Sequence, residues 1–125
     1  MRDDGAGTAI VLFAHGSRDP EWAAPFRAIQ RKLTDAKPDV QVELAFLELM
    51  QPSLPEAVDR LAASGCRRVT VAPLFMAQGA HLKRDLAALI GELRARHSIE
   101  IVALPAAGES EAVIDAISAW LAAQC

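Results

Sequence analysis

Short apolar runs alternate with amphipathic segments along most of the chain, and this alternation constrains the fold more than any other feature. The first run, TAIVLFA at 8–14, is continuously apolar, which is typical of a strand buried on both faces. Further strands are predicted at 40–48, 67–76 and 99–105. Helices are predicted from Asp19 to before Pro38, at 53–65, at 81–97 and from about Ser110 onward. Because a helix follows each strand, we expect a parallel sheet with right-handed connections.

Local signals mark where two helices begin and which faces are buried. Asp19 and Pro20 read as an N-cap followed by proline at the first helical position, and Ser53 with Glu56 reads as a capping box. Apolar residues recur at helical spacing and are expected to face the core. They are Trp22, Phe26, Ile29 and Leu33; Ala57, Val58, Leu61 and Ala62; Leu82, Leu86, Leu89, Ile90 and Leu93; and Val113, Ile114, Ile117, Trp120 and Leu121.

The second predicted strand differs from the others because its apolar and polar residues alternate. Val42 and Leu44 point one way, whereas Gln41 and Glu43 point the other, which favours a position at the edge of the sheet. The strand order 2-1-3-4 satisfies this requirement. We therefore predict one α/β domain over residues 1–125, flavodoxin-like, with a four-stranded parallel sheet flanked by helices and with residues 1–7 flexible.

Charge and cysteine content exclude several classes of protein. A net charge of −3 without a basic stripe argues against binding to nucleic acid. Cys66 and Cys125 are far apart and form no CxxC motif, so we expect a reducing, cytoplasmic setting. The start MRDDGAGT does not resemble a signal peptide, and no apolar run reaches the ~20 residues that cross a bilayer.

Three side chains that can bind metals are expected at the carboxyl ends of the strands, where ligands bind in parallel sheets. His15 follows the first strand, Glu48 ends the second, and His81 follows the third. A single histidine at such a position is most often an ordinary polar residue. Together, two imidazoles and a carboxylate suit Fe²⁺, Co²⁺ or Ni²⁺. His97 lies at a helix C-terminus, where a cation is favoured, and we assign it no function.

Two cations occupy an unusual place near the start of the third helix. Lys83 and Arg84 oppose the helix dipole there, and Asp85 offsets them in part. Two interpretations remain open. The pair is either an ordinary solvated surface or a collector for an anionic substrate above the helix N-terminus.

Three segments carry a resemblance to a known family. LFAHGSRDP, FLELMQPSLPEAV and VAPLFMAQGAHLKRDL resemble the CbiX/SirB-type sirohydrochlorin chelatases in their short, single-domain form. The resemblance extends from about Thr8 to the last helix. It implies the class II chelatase fold and ATP-independent insertion of Co²⁺, with Fe²⁺ a close second, into sirohydrochlorin during cobalamin or siroheme biosynthesis. No permanently bound cofactor is expected.

The resemblance also implies roles for particular residues. His15 and His81 would bind the metal, His15 would accept a pyrrole proton, and Glu48 would be an acidic helper. Further segments would contact the macrocycle, namely Gln51 and the loop Met76, Ala77, Gln78, Gly79 and Ala80. Met76 and Ala80 replace the commoner leucine and larger aliphatic residue, which should alter fit rather than chemistry. The substrate's carboxylates would give Arg18, Lys83 and Arg84 a use.

Longer members of the resembled family carry two such domains across a cleft, so this single domain is expected to work as a homodimer. Two other functions stay open. A non-enzymatic metal carrier could use the same two histidines. A histidine phosphatase would carry RHG where this chain has Ala14 before His15, which weakens that alternative, and a serine hydrolase is weaker still because no GxSxG elbow is present.

Overall fold

Strands and helices alternate as predicted over residues 7–125, which the computed structural model describes. The elements are β1 (Thr8–Ala14), a 3-10 turn (Pro20–Ala23), α1 (Ala24–Ala36), β2 (Gln41–Phe46), α2 (Leu54–Ala63), β3 (Arg68–Pro73), α3 (Ala80–His97), β4 (Glu100–Ala103), a second 3-10 turn (Ala107–Glu109) and α4 (Glu111–Ala122). Residues 1–7 are predicted to be flexible. Residues 1–6 of this segment lie outside the described residues.

The strands form one parallel sheet in the order β2-β1-β3-β4, which confirms the predicted order. The central strand β1 pairs with both neighbours, so that Ala9 lies opposite Gln41 on one side and Val69 on the other. Its side chains from Val11 to Ala14 are all buried. A strand enclosed in this way needs apolar residues on both faces, which explains the uninterrupted run in the sequence.

Helices cover the two faces of the sheet in different ways. α2 and α3 pack on one face around a core that includes Val11, Phe13 and Ile101. α1 covers only the β1–β2 half of the other face, around Leu12 and Phe46. The β3–β4 half of that second face is therefore left open by α1.

One apolar residue of α1 does not face the core as expected. Ile29 is 43% exposed, whereas Phe26 and Leu33 pack against the core. Gln30 takes the inward position instead, because its side-chain amide donates a hydrogen bond to the carbonyl of Val42 at 2.9 Å. The helix thus uses one polar contact to reach the backbone of the edge strand β2.

The expectation that the apolar residues of the last helix face the core is also wrong. None of the residues of α4 is buried, and Ile114, Trp120 and Leu121 are 42%, 65% and 52% exposed. Among the described residues, the helix packs mainly against the 3-10 turn that precedes it rather than over the sheet. Helical periodicity correctly showed an apolar stripe, but no element of the described residues 7–125 buries it.

The predicted helix starts are confirmed by their caps. Asp19 Oδ1 accepts a hydrogen bond from the Glu21 N–H at 3.0 Å, although the segment after it is a 3-10 turn before it becomes α-helical. Ser53 and Glu56 form both hydrogen bonds of the capping box, at 3.2 Å and 2.8 Å. Each cap satisfies backbone N–H groups that have no partner within the helix.

An ionic contact joins α2 to the end of α3. Asp59 Oδ1 lies 2.6 Å from His97 Nε2 and 2.9 Å from Arg96 Nη1. The hydrogen bond from His97 is the largest cause that lowers the pKa of Asp59 below its ordinary value of 3.8, with Arg96 adding to it. A carboxyl group whose pKa is lower in the folded than in the unfolded protein stabilises the fold at pH values above its unfolded pKa. This stabilisation is lost as the pH falls through the lowered, folded pKa.

We expect Asp59→Asn to lower the free energy of unfolding near neutral pH, because the charged partner of His97 and Arg96 is lost. The difference from the wild type should shrink as the pH falls below 3.8, since protonation then removes the same charge from the wild type. Urea unfolding at pH 7 and near pH 3 measures both effects. Glu92→Gln, at an exposed position of α3, is the control. A wild-type advantage that stays constant with pH would contradict the assignment.

Candidate active site

His15 and Glu48 meet just beyond the carboxyl ends of β1 and β2. The backbone pairing continues past both strands, because the Leu47 N–H donates to the Ala14 carbonyl at 2.9 Å and the Glu48 N–H donates to the His15 carbonyl at 3.1 Å. The side chains are thereby brought together, with His15 Nε2 3.3 Å from Glu48 Oε2. They are 55% and 54% exposed, so the pair is open to a ligand from solution.

Gly16 makes this approach possible. Its φ is +103°, in the region that favours glycine, and a Cβ at this position would lie 1.9 Å from the carbonyl oxygen of Glu48. The backbone after His15 therefore runs directly against the backbone of Glu48. The sequence contained the signal, a glycine immediately after the strand-end histidine, but its contact with Glu48 could not be read from it.

The loop after β2 turns sharply at the same place. Leu49 has a φ of +68°, and the Met50 N–H donates to the Glu48 carbonyl two residues earlier at 2.8 Å. Such backbone conformations are costly for a residue with a side chain and occur often at functional sites. The turn brings Glu48 and Gln51 to one open groove of about 400 Å³, as expected if both face the same ligand.

An aromatic side chain supports the imidazole of His15. The rings of His15 and Phe75 meet edge to face, with centroids 6.1 Å apart and an interplanar angle of 77°. Phe75 also packs against the buried Phe13, at 5.8 Å. Phe75 lies within a segment that carried the family resemblance, but its position next to His15 was not predicted.

His81 occupies the first turn of α3, and its side chain is exposed. A narrow cavity of about 60 Å³ between Phe13, Leu47 and Leu82 places this turn beside the loop that follows β2. Within residues 7–125, however, no three His, Cys, Asp or Glu side chains are grouped closely enough to hold a metal ion. The structure thus joins His15 to Glu48 but adds no third ligand to them, and metal binding by His15 and His81 stays a prediction.

The loop between β3 and α3 lines a second cavity, of about 390 Å³. Gln78 and Lys83 face it from one side and Glu109 from the other. The side-chain oxygen Oε1 of Gln78 is buried and has no hydrogen-bond partner in the described part of the chain. A buried acceptor without a donor is costly, so this atom is suited to accept a hydrogen bond from a ligand.

Gly108 supports the same loop through backbone contacts. Its N–H donates to the Phe75 carbonyl at 2.9 Å, and a Cβ at Gly108 would lie 1.9 Å from the carbonyl oxygen of Met76. The Ala107–Glu109 turn is therefore in direct backbone contact with the loop that starts at Met76. Sequence reasoning missed this support, because Gly108 lies in a different connection of the sheet.

Apolar side chains are exposed around the His15–Glu48 pair. Leu47, Leu49 and Met76 are 39%, 56% and 66% exposed, and we call them the rim patch. An apolar patch next to polar groups is typical of a ligand-binding surface. Met76 was predicted as a contact residue, whereas Leu47 and Leu49 were not.

The remaining predicted site residues lie at the same end of the sheet, where the strands have their carboxyl ends. Ala77, Gly79 and Ala80 are exposed in the loop and at the start of α3, and so are Arg18, Lys83 and Arg84. None of these three cations belongs to an ion pair formed within the described residues. Within residues 7–125, no carboxylate therefore neutralises these three charges. No helix within residues 7–125 has the length and apolar character needed to span a membrane.

Residues 9–123 match the model of the CbiX family. The chain belongs to the CbiX family. The sirohydrochlorin cobaltochelatase of Methanopyrus kandleri is 37% identical over 83 residues, which are 66% of this chain and 58% of that protein. The match therefore spans less than two thirds of that relative.

Two solved structures of CbiX-type proteins are similar to this chain. A CbiX protein from Marinobacter aquaeolei superposes with a TM-score of 0.81 and 32% identity, over 94% of this chain and 96% of that one. The sirohydrochlorin chelatase SirB from Bacillus subtilis, in complex with cobalt, gives a TM-score of 0.69 and 29% identity, over 89% of this chain and 48% of that one. The predicted family and the predicted fold class are both confirmed.

Proposed function

We propose that this CbiX-family chain is a sirohydrochlorin chelatase, which inserts a divalent metal into the tetrapyrrole without ATP. The observation that supports it most is the His15–Glu48 pair, 3.3 Å apart and more than half exposed, next to the apolar rim patch. A flat macrocycle needs an apolar surface, and metallation needs a proton acceptor at that surface. Relatives named sirohydrochlorin cobaltochelatase support the same substrate.

Proton removal is the chemistry that the pair can supply. Metal insertion releases two N–H protons from the macrocycle, and imidazole is the side chain best suited to accept a proton near neutral pH. Glu48 Oε2, 3.3 Å from His15 Nε2, stabilises the imidazolium that forms. The same nitrogen cannot hold a proton and a metal ion at once, so His15 alternates between the two tasks, and His81 serves as the second metal ligand.

The macrocycle is proposed to lie on the rim patch, between the loop after β2 and the loop after β3. Gln51 contacts it from the first loop and residues 76–80 contact it from the second. The unpaired Oε1 of Gln78 accepts a hydrogen bond from the ligand. This arrangement leaves the centre of the ring above His15, where the metal must enter.

The substrate's carboxylates are proposed to bind Arg18, Lys83 and Arg84. The first turn of α3 contains no acidic residue, and Gly79 at its N-cap provides no side-chain hydrogen bond. The free N–H groups and the positive end of the helix dipole therefore act in the same direction as the two cations.

Replacing Lys83 and Arg84 together by glutamine should raise KM more than it lowers kcat. The effect should shrink as salt is added, because exposed charges are screened over about 8 Å at physiological ionic strength. Steady-state kinetics at low and high salt measure this. The matched control replaces Arg31 and Lys32, an exposed pair on α1, and should leave KM unchanged. An unchanged KM for the Lys83/Arg84 variant at low salt would mean that the two cations are ordinary surface charges.

We further propose Co²⁺ as the preferred metal substrate, with Fe²⁺ second and Ni²⁺ also accepted, and a cytoplasmic enzyme of cobalamin or siroheme biosynthesis without a resident cofactor. The cobalt complex of the Bacillus subtilis relative and the names of the curated relatives support cobalt. Histidine and carboxylate ligands suit all three ions.

The working unit is proposed to be a homodimer. His15 and Glu48 lie on an open surface, whereas small-molecule sites usually enclose most of the ligand. A second copy related by a two-fold axis would supply the missing wall of the cleft, and two-fold dimers are the commonest oligomers. This chain covers 48% of the Bacillus subtilis relative, so that relative is long enough to contain two such domains in one chain.

Anaerobic mixing of metal-free protein with sirohydrochlorin and each metal in turn tests the function. We expect the absorbance spectrum of the macrocycle to convert to that of the metal complex faster than in a blank without protein. Equilibrium dialysis of the metal alone tests the alternative of a metal carrier. Metal binding without any change in the rate of macrocycle conversion would contradict a chelatase and favour the carrier.

A further inference from the structure

Phe75 connects the exposed imidazole of His15 to the interior of the protein. The two rings meet edge to face, with centroids 6.1 Å apart and planes at 77°. The buried Phe13 meets the ring of Phe75 in the same way, at 5.8 Å and 70°, and Phe75 is partly buried against the core that α2 and α3 form with the sheet. Because such a core is close-packed, the ring of Phe75 is a firm support for the His15 side chain, which is 55% exposed.

Two hydrogen bonds hold the backbone that carries Phe75. The Leu74 N–H donates to the Phe13 carbonyl at 2.8 Å, which extends the pairing of β3 with β1 by one residue. The carbonyl of Phe75 accepts from the Gly108 N–H at 2.9 Å. The first bond belongs to the sheet, whereas the second comes from the turn Ala107–Glu109, which follows β4. The position of Phe75 therefore depends on a segment that lies outside its own loop.

That turn is itself anchored. Ala106, which precedes it, is only 1% exposed, and its N–H donates to the carboxylate of Glu109 at 3.2 Å. The Ala106 carbonyl in turn accepts from the Glu109 N–H at 2.9 Å. Closer to β4, the Leu104 N–H donates to the Val71 carbonyl at 2.9 Å, which ties the start of this connection to the sheet. The turn is thus a fixed support for the residues that it contacts.

Close packing, and not backbone conformation, explains the glycine at position 108. Its φ lies outside the left-handed region that favours glycine. A Cβ at this position would however lie 1.9 Å from the carbonyl oxygen of Met76 and 2.4 Å from its Cα. Only a residue without a side chain lets the turn press directly against the residue after Phe75.

We propose that the turn Ala107–Glu109 positions His15 for proton removal and acts through Phe75. The turn fixes the backbone at Phe75 and Met76, and the ring of Phe75 limits the rotation of the imidazole, which thereby stays 3.3 Å from Glu48 Oε2. An exposed histidine without such a support moves between several side-chain rotamers. Gly108 and Phe75 are therefore positioning residues. Their effect on the rate rests on the proposed function, whereas the contacts themselves do not.

NMR spectra of protein with isotope-labelled histidine test the positioning without reading activity. The ring signals of His15, identified by their loss in His15→Ala, should show nuclear Overhauser contacts to the ring of Phe75. Gly108→Ala should weaken these contacts and shift the His15 signals. Gly91→Ala is the matched control, since this glycine also lacks a positive φ but has open space where the Cβ would lie. Unchanged His15 signals and contacts in a folded Gly108→Ala variant would overturn the proposal.

Phe75→Leu extends the test to the reaction and replaces Gly108→Ala if that variant does not fold. Leucine keeps an apolar side chain against the core but removes the ring beside His15. We expect kcat for metal insertion to fall by about 10-fold, within the 10²-fold that a misplacement of about 1 Å can cost, while KM changes little. Phe75→Tyr, which keeps the ring, should restore most of the rate.

Phe26→Leu is the matched control for the loss of a phenylalanine ring. Phe26 is also partly buried and packs on an aromatic ring, that of Trp22 at 4.8 Å, but it lies on α1. Its replacement should leave kcat unchanged. A Phe75→Leu variant with the kcat of the wild type, or with a loss confined to KM, would overturn the proposal. A wild type that shows the His15–Phe75 contacts but does not metallate the macrocycle would support the positioning and contradict only the proposed function.

Discussion

Replacing His15 by alanine should lower kcat/KM for metal insertion by about 10²-fold or more, the scale of a lost acid–base group. The reason is geometric as well as chemical, because His15 is the imidazole held between Glu48 at 3.3 Å and the edge of Phe75. His81→Ala should have a loss of the same order if His81 is the second metal ligand. Initial rates under anaerobic conditions, corrected for spontaneous metallation, measure both.

His97→Ala is the control for these variants. His97 is paired with Asp59 at 2.6 Å, and its side chain is only 19% exposed, so its loss should lower stability while the rate per folded molecule stays unchanged. Urea unfolding of the same preparations separates the two effects. A His15→Ala variant with nearly the full rate would remove His15 from the mechanism.

Gly16→Ala should abolish most of the activity and also destabilise the fold, although it adds only one methyl group. The new Cβ would lie 1.9 Å from the carbonyl oxygen of Glu48, so the two loops must separate and the His15–Glu48 pair must open. The positive φ adds a strain of about 1–3 kcal/mol. Because the pair is the proposed proton acceptor, we expect a loss of kcat/KM comparable to that of His15→Ala.

Gly65 offers a matched control for the strain alone. Its φ is +92°, but a Cβ there would meet no atom within 4 Å. Gly65→Ala should therefore lower the free energy of unfolding by about 1 kcal/mol and leave kcat/KM unchanged. If Gly16→Ala lost no more activity than Gly65→Ala, contact with the Glu48 backbone would be irrelevant to catalysis.

The meeting of His15 and Glu48 was predictable because it depends on topology. A buried strand that ends in histidine, next to an edge strand that ends in glutamate, brings the two residues to one side of any parallel sheet with the order 2-1-3-4. Apolar periodicity and the position of the strand ends are enough for that inference.

The finer features of the site depend on backbone contacts between segments distant in sequence. Gly16 against Glu48 and Gly108 against Met76 are approaches of this kind, and a lone glycine in a sequence does not indicate its partner. The positive φ of Leu49 opposes local preference and is imposed by the surrounding loop. For His81, the sequence predicted a position after the third strand. It did not predict the distance between His81 and the other site residues.

The periodicity of α4 showed that its apolar stripe needs a cover, but periodicity carries no information on which surface provides it. The same holds for α1, where Gln30 rather than Ile29 faces the sheet because it reaches the Val42 carbonyl. Both differences arise from tertiary packing that overrides a local pattern.

A turnover count under anaerobic conditions tests the central claim most directly. A small amount of metal-free protein is mixed with a large molar excess of sirohydrochlorin and Co²⁺, and the metallated macrocycle is followed by absorbance. The proposed chelatase should metallate many macrocycles per chain, faster than the blank without protein. Product formation at the rate of the blank, or formation that stops after one macrocycle per chain, would contradict it.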